Sequence, residues 1–348
     1  LILEYREKQK LFGTYVEALP QKITKDGRLH GSFNQVGTVT GRFSSNDPNL
    51  QNLPPAGRKL IKAPNGWVIQ GSDFSQIEPR CLAHISGDPD LQQIYIDGKD
   101  IYTEMAVKVY GVTHEEAGDG SKYRKAMKVV VLAIMYGLSA YSLGESLKIS
   151  TDAAEQLIED FYKAYPKVYE WIQSVWEQVK ANEYVETLYG RKRRFPGHRE
   201  QAIIYDEAAA EICKILELDK APSSLWAYGN VIPYELKKRY NAVAKDVSRV
   251  RRMAVNAIIQ GTAADIMKLA LIGLHEYTER KGWALNGTVH DEALLLVPET
   301  ITLADVEEME SIMTSVVELA VPLKCDTEMF RRYGEGIKKS EWFEGVAA

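Results

Sequence analysis

Val68-Ile-Gln-Gly-Ser-Asp73-Phe-Ser-Gln-Ile-Glu78 sets an aspartate at the end of an apolar run, and Gly287-Thr-Val-His290-Asp291-Glu292 does the same far downstream. Residues 67–74 read as a buried strand. The second segment sits in a hairpin spanning residues 283–297 and holds a conflict. Asn286-Gly287 is a strong two-residue turn signal, yet a turn there leaves only a short first strand. A turn at His290-Asp291 leaves apolar strands at 284–289 and 293–297. The second reading is preferred, because it presents Asp291 at an exposed tip beside another strand end.

Working outward, residues 1–18 have helical spacing, and residues 20–66 are rich in Gly, Pro, Asn, Ser and Thr, which reads as turns and short strands. From Asp88 to about Ala181 the pattern is helical, broken at 111–120 and at Gly137. Residues 185–189 look like a short strand and turn. Pro222-Ser-Ser and Tyr228-Gly-Asn-Val-Ile-Pro233 mark loops between two helical stretches. A long helix follows over 248–277, carrying Gln260-Gly-Thr-Ala-Ala-Asp265, and a final helix over 306–319.

The chain has 348 residues, with 45% hydrophobic and 26% charged content, ordinary for a soluble globular protein with a sizeable core. It starts at Leu1, so it reads as a piece of a longer product, with no signal peptide in view. The apolar run at 129–135 is far too short to cross a bilayer. Cys81, Cys213 and Cys325 are isolated, which fits a reducing cytosol better than disulfides or zinc. The net charge of −5 hides basic clusters at Lys122-Tyr-Arg124-Lys125, Arg191-Lys-Arg-Arg194 and Arg249-Val-Arg251-Arg252. Such clusters neutralise phosphates despite an acidic total, or form solvated helix faces.

Two carboxylates and a basic helix face fit phosphoryl transfer to a nucleic-acid end. Asp73 and Asp291 are expected to bridge two magnesium ions, hard cations that take oxygen ligands and keep several waters. A lone strand-end Asp is more often a turn or cap residue; two together, beside the other elements, carry the reading. Glu292 is either a further ligand or a contact for solvent or the primer end. Arg124, Lys128, Leu132 and Tyr136 follow at steps of four on a helix over 121–136 and form one slanted stripe, drifting by about 40° per step. Arg124 and Lys128 would meet phosphates, Leu132 and Tyr136 the sugar and base. Lys128 is also placed to donate a proton to the leaving pyrophosphate. The plainer reading is an amphipathic surface helix, with Val129-Val130 and Ala133-Ile134 packed inward.

These motifs resemble those of family A DNA polymerases, the bacterial DNA polymerase I type. Thr40-Gly-Arg42-Phe-Ser-Ser45 with Pro48-Asn-Leu-Gln-Asn52-Leu-Pro54 is similar to the family's first motif. Asp73 to Glu78 with Arg80 resembles motif A. Arg124-x-x-x-Lys128 to Tyr136-Gly137 resembles motif B, and Val289 to Glu292 resembles motif C. Arg252-Met-Ala-x-Asn256 with Gln260 to Asp265 matches another block.

The resemblance implies an α+β right-hand fold with the thumb largely absent. The expected domains are an antiparallel-sheet palm at 1–87, with a remnant of the thumb–palm connection at 1–20, and at 246–348, and mostly helical fingers at 88–245, with an insertion near 200–245. It implies template-directed DNA synthesis from dNTPs on primer–template DNA, two Mg2+ ions with Mn2+ able to replace them, and ligation by Asp73, Asp291 and the Phe74 backbone carbonyl. Gln76, Tyr102 and Glu78 join the nucleotide site. Glu78 is the expected gate against a ribose 2′-hydroxyl, a role compatible with capping Ser75. Arg42, Asn49, Gln51, Asn52, Arg252, Asn256, Gln260 and His290 would contact the duplex, partly in its minor groove, testing shape rather than sequence. Localisation would be cytoplasmic, in a bacterial or phage-infected cell and associated with the nucleoid, with no membrane partner and with any processivity factor left open.

The chain departs from the family pattern at Leu132, where an aromatic is usual, at Pro79, where an aliphatic is usual, and in the longer 200–245 segment. No exonuclease domain is expected in this chain. A single-subunit RNA polymerase is the nearest alternative, against which Glu78 argues. A catalytically dead nucleic-acid-binding relative is another, against which Asp73, Asp291, Arg124 and Lys128 argue. No Walker or dinucleotide glycine loop supports a generic nucleotide-binding module.

Overall fold

The computed structural model describes residues 2–222 and 224–344; Leu1, and Ser223 of the expected Pro222-Ser-Ser loop, lie outside them. The chain opens with α1 (Ile2–Leu11), a π-helical turn (Phe12–Ala18) and a short β1–β2 pair (Ser32–Asn34, Ser44–Asn46). Helix α2 (Pro55–Arg58) precedes strand β3 (Trp67–Phe74). A helical series follows: α3 (Ile77–Ser86), α4 (Pro89–Ile96), α5 (Ile101–Tyr110), α6 (Lys122–Tyr136), α7 (Ala140–Leu147), α8 (Thr151–Ala164) and α9 (Pro166–Asn182). Strands β4 (Tyr184–Glu186) and β5 (Lys192–Arg194) pair, then α10 (His198–Leu216) and α11 (Tyr234–Lys281) carry the chain to β6 (Ala284–Val289), β7 (Glu292–Pro298), α12 (Leu303–Ser315), β8 (Cys325–Phe330), β9 (Ile337–Lys338) and α13 (Lys339–Glu344).

Two compact units emerge, Leu1–Ile77 with Ala263–Ala348, and Glu78–Thr262. The first is built on an antiparallel sheet of order β6-β7-β3-β8-β9. Strand β3 lies in its middle and is buried from Val68 to Ser72, as its continuous apolar run requires. The expected turn at His290-Asp291 is present, with Val289 opposite Glu292. The register shifts between Leu285 and Gly287, so Asn286-Gly287 makes a bulge there instead of a turn. His290 takes the left-handed φ of +59° that the tight turn demands.

The second unit is helical. Most of its helices begin at side-chain caps, Asp88 for α4, Asp100 for α5, Ser121 for α6, Ser139 for α7 and Ser150 for α8. Helix α6 ends at Gly137 with φ +63°. A Cβ there would lie 2.3 Å from the Arg252 Cβ, so both conformation and packing demand glycine. The long helix, expected over 248–277, begins instead at Tyr234. Its added turns pack Leu236 and Tyr240 against Ala208 and Ile212 of α10, a tertiary reason for helix that local pattern did not show. α11 is long and apolar enough by composition to cross a membrane, but 61% of its most apolar stretch is buried inside the protein, as befits a core helix.

Candidate active site

In the sheet unit, Asp73 stands at the end of β3 directly opposite Glu292 of β7 and Asp326 of β8. Residues opposite each other in an antiparallel ladder project from the same face. Three acids therefore form a row across three strands, and the Phe74 N–H bonds the Asp291 carbonyl at 3.2 Å to bring a fourth to the strand end. Like charges in such a row oppose folding. Burial, then the charges of Asp291, Glu292 and Asp326, push the Asp73 carboxyl up to about 7. The crowding by Asp291, Glu292 and Asp326 is the component that a bound cation would relieve.

Glu292 is held differently. Tyr333 donates its hydroxyl to Glu292 Oε2 at 3.1 Å, and the Arg58 guanidinium lies 5.2 Å from the Tyr333 ring centre. Burial raises the Glu292 carboxyl, against the opposing pull of Tyr333 and Arg58. Gly71 makes room for it: a Cβ there would meet Glu292 Oε1 at 2.5 Å and the Phe330 ring at 2.8 Å. Asp326 accepts from Ser75 Oγ. Neither Asp326 nor the Tyr333–Gly71 cradle was visible in the sequence. Asp326 belongs to a short alternating strand that no motif marks.

Among the described residues no three His, Cys, Asp or Glu side chains are arranged to hold an ion by themselves. The exposed Asp73 and half-buried Asp291 carboxylates, with a backbone carbonyl, waters and substrate phosphate, would make a donor set that magnesium accepts. The acid row with its raised Asp73 is chemically suited to such a cation.

The first-motif loop of this unit spends its polar groups on structure. Asn49 Oδ1 accepts from the Gln51 and Asn52 backbone N–H groups at 3.1 Å each. Gln51, only 6% exposed, donates to the Thr288 carbonyl at 3.1 Å and so ties the loop to the hairpin. Asn52 is exposed and Arg42 half-buried. Gln76, at the turn into α3, takes φ +54°, an uncommon conformation for a side-chain-bearing residue that costs energy unless the surroundings enforce it.

In the helical unit, α6 buries Met127, Val130, Val131, Ala133, Ile134 and Met135. Lys128 and Tyr136 are exposed, Arg124 and Leu132 half-buried, so the expected stripe lies on the outward face. Arg124 is not idle there. It donates Nε and Nη2 to the two carboxylate oxygens of Asp100, each at 2.9 Å, and its Nη1 lies 3.2 Å from Asp119. The Tyr102 ring centre is 5.8 Å from the guanidinium carbon. The fork holds Asp100 below the usual carboxylate range even though burial raises it.

Glu78 is 6% exposed in the first turn of α3, and Gln260 Nε2 reaches its Oε1 at 3.5 Å. Pro79 also lies in that turn, where its missing N–H has no helical partner to lose. On α11, the Asn256 Nδ2 donor is buried without a partner, a group left ready for an acceptor. Arg252 packs beside Gly137.

Comparison with known proteins gives a consistent picture. Residues 1–335 match the model of DNA polymerase family A. The thermostable DNA polymerase I of Thermus filiformis is 38% identical over 94% of this chain and 35% of its own length, and that of Thermus aquaticus is 36% identical over 93% and 35%. The chain thus spans about a third of the curated relatives it matches. Among solved structures, the POL domain of Pol1 from M. smegmatis, in complex with DNA primer-template and dNTP, superposes with a TM-score of 0.76 at 30% identity, over 95% of this chain and 52% of that one.

Proposed function

The chain belongs to DNA polymerase family A, and from that membership we propose that it carries out template-directed DNA synthesis, joining dNTPs to a primer 3′-hydroxyl with release of pyrophosphate. The sheet unit takes the role of palm and the helical unit that of fingers. The observation that carries the reading is the acid row: Asp73 faces Glu292 and Asp326 with Asp291 beside it, and burial together with these like charges raises its carboxyl to about 7.

Asp73 and Asp291, with the Phe74 carbonyl, would hold the divalent ions. Two such ions, when bound, activate the 3′-hydroxyl and stabilise the leaving pyrophosphate. Glu292, bonded by Tyr333, is a positioned carboxylate beside them. Arg124 and Lys128 take the triphosphate, and Lys128 supplies a proton to the pyrophosphate. Leu132, Tyr136 and Tyr102 accept the sugar and base, with Gln76 at the loop before α3. Glu78 excludes a 2′-hydroxyl. Arg42, Asn49, Gln51, Asn52, Arg252, Asn256, Gln260 and His290 serve the duplex; Asn256 has a free donor for it, whereas Gln51 acts by anchoring its loop to the hairpin. Mg2+ is the proposed metal, Mn2+ a substitute, and the bacterial cytoplasm the proposed location.

Asp73→Asn and Asp291→Asn test the reading. Each should abolish primer extension with Mg2+ and leave duplex binding largely intact, because an amide is a far weaker ligand while affinity comes mainly from phosphate contacts. Substantial extension by either variant would refute the assignment.

A further inference from the structure

Helix α11 begins well before the block that resembles the family pattern, and a polar stripe runs along it. Asn241, Lys245, Ser248, Arg252, Asn256 and Gln260 follow at steps of four, three, four, four and four residues. That spacing keeps them on one slowly turning face. Asn241 and Lys245 are exposed and Ser248, Arg252, Asn256 and Gln260 half-buried, whereas Tyr240, Val243, Val247 and Ala254 beside them are buried. The last three are the proposed duplex contacts. The first three lie upstream, at and beyond the start of that block. At about 1.5 Å per residue, Asn241 stands roughly 16 Å beyond Arg252 along the helix.

At its far end the stripe borders a cleft of about 410 Å³. Asn241, Lys245 and Ser248 line one side, with Tyr205, Lys220 and Glu155 also on its wall. Tyr205 is held rigidly: the Tyr240 ring lies 5.1 Å away at 31°, and the Arg251 guanidinium, fixed by Asp206 at 2.9 Å, lies 4.9 Å from the Tyr205 ring centre. Lys220 pairs with Glu155 only at 3.8 Å, with its side chain 80% exposed, a contact that a phosphate displaces easily. Lys245 is exposed, and no ion pair engages it among the described residues. The size suits one nucleotide and not a base pair with both its backbones. Lysines for phosphate, an amide and a hydroxyl for base edges, and a fixed aromatic surface are the chemistry of single-strand binding.

We infer that the upstream part of α11, with this cleft, is a track for single-stranded DNA, the unpaired template strand that continues beyond the duplex. The inference rests on the polymerase reading and extends its DNA surface into the segment where the sequence departs from the family. The test measures binding of the whole chain to two labelled primer–templates, one with a single unpaired template nucleotide and one with about twelve, a length within the site sizes of single-strand grooves. The parent should bind the long overhang about threefold or more tighter. Lys220→Glu with Lys245→Glu should erase that difference and lower the salt slope for the long overhang by about 1.4, two single-strand phosphate contacts. Asn241→Asp, a milder change at an exposed position, should reduce the difference in the same direction. Thermal unfolding of each variant confirms an intact fold. A parent without preference for the long overhang, or variants that weaken both DNAs alike, overturns the track. A parent that binds neither DNA overturns the polymerase reading itself.

Discussion

Arg124 and Asp100 form a two-pronged ion pair, Nε to Oδ1 and Nη2 to Oδ2, both at 2.9 Å. Asp100 also caps α5 through the Thr103 N–H at 2.8 Å, so one carboxylate fixes a helix start and aims a guanidinium. Such forks add geometric specificity as well as energy. Asp100→Asn keeps a cap acceptor but breaks the fork. The expected result is a dNTP KM raised about fivefold with kcat within about twofold, as orientation of the cation proposed to take the triphosphate is lost. Steady-state kinetics checks this; a lowered KM would mean that Asp100 competes with the triphosphate.

Glu78 is buried and within reach of Gln260, and Pro79 leaves the start of α3 undisturbed. Glu78→Ala should open the space beside the sugar's 2′ position. Discrimination against ribonucleotides should fall by about tenfold or more. Single-turnover incorporation of matched dNTP and rNTP reads this directly, and unchanged selectivity would remove Glu78 from the gate role.

Leu132 is half-buried, while its neighbours Val131 and Ala133 are fully enclosed. Its side chain is therefore on the outward stripe and not part of the packed face. Leu132→Phe would add a stacking surface without overfilling the core. The incorporation rate should rise or the dNTP KM fall, by up to about 1 kcal/mol of transition-state binding. Pre-steady-state kinetics and thermal unfolding decide the matter together. A slower variant with a lowered Tm would place Leu132 in the packing.

Asp305 closes a capping box with Thr302 at the start of α12 and accepts from Lys281 at 2.7 Å and Tyr277 at 3.1 Å. Burial raises its carboxyl, but Lys281, Thr302 and Tyr277 outweigh that and hold it at about 2. The folded value lies below the unfolded one near 4, so the contribution is complete above about pH 4 and is lost as pH falls towards 2. It amounts to ~1–2 kcal/mol, allowing for the solvent exposure of Lys281. Urea unfolding between pH 5 and about pH 2 should show this loss in the parent and a flatter profile in Asp305→Asn.

Much of the site's local structure was legible because it depends on neighbouring residues. The apolar run before Asp73 made a strand, and Ser121 and Gly137 bounded the helix carrying Arg124 to Tyr136. The His290-Asp291 turn prevailed over Asn286-Gly287 because strand length on both sides favoured it. The start of α11 was not legible, because Leu236 and Tyr240 become helical in packing against α10.

The sequence by itself determined the family, the strand-end position of Asp73, the turn that carries Asp291 and the outward stripe of α6. Each follows from short-range periodicity or from motif order. Only the tertiary structure decided which side chains meet. Strand register set Asp326 and Glu292 opposite Asp73, and a slip of one residue would have turned them to the other face. Chain folding likewise brought Asp100 to Arg124 and Tyr333 to Glu292. Those pairs are 24 and 41 residues apart, and no local pattern encodes a contact at such separations.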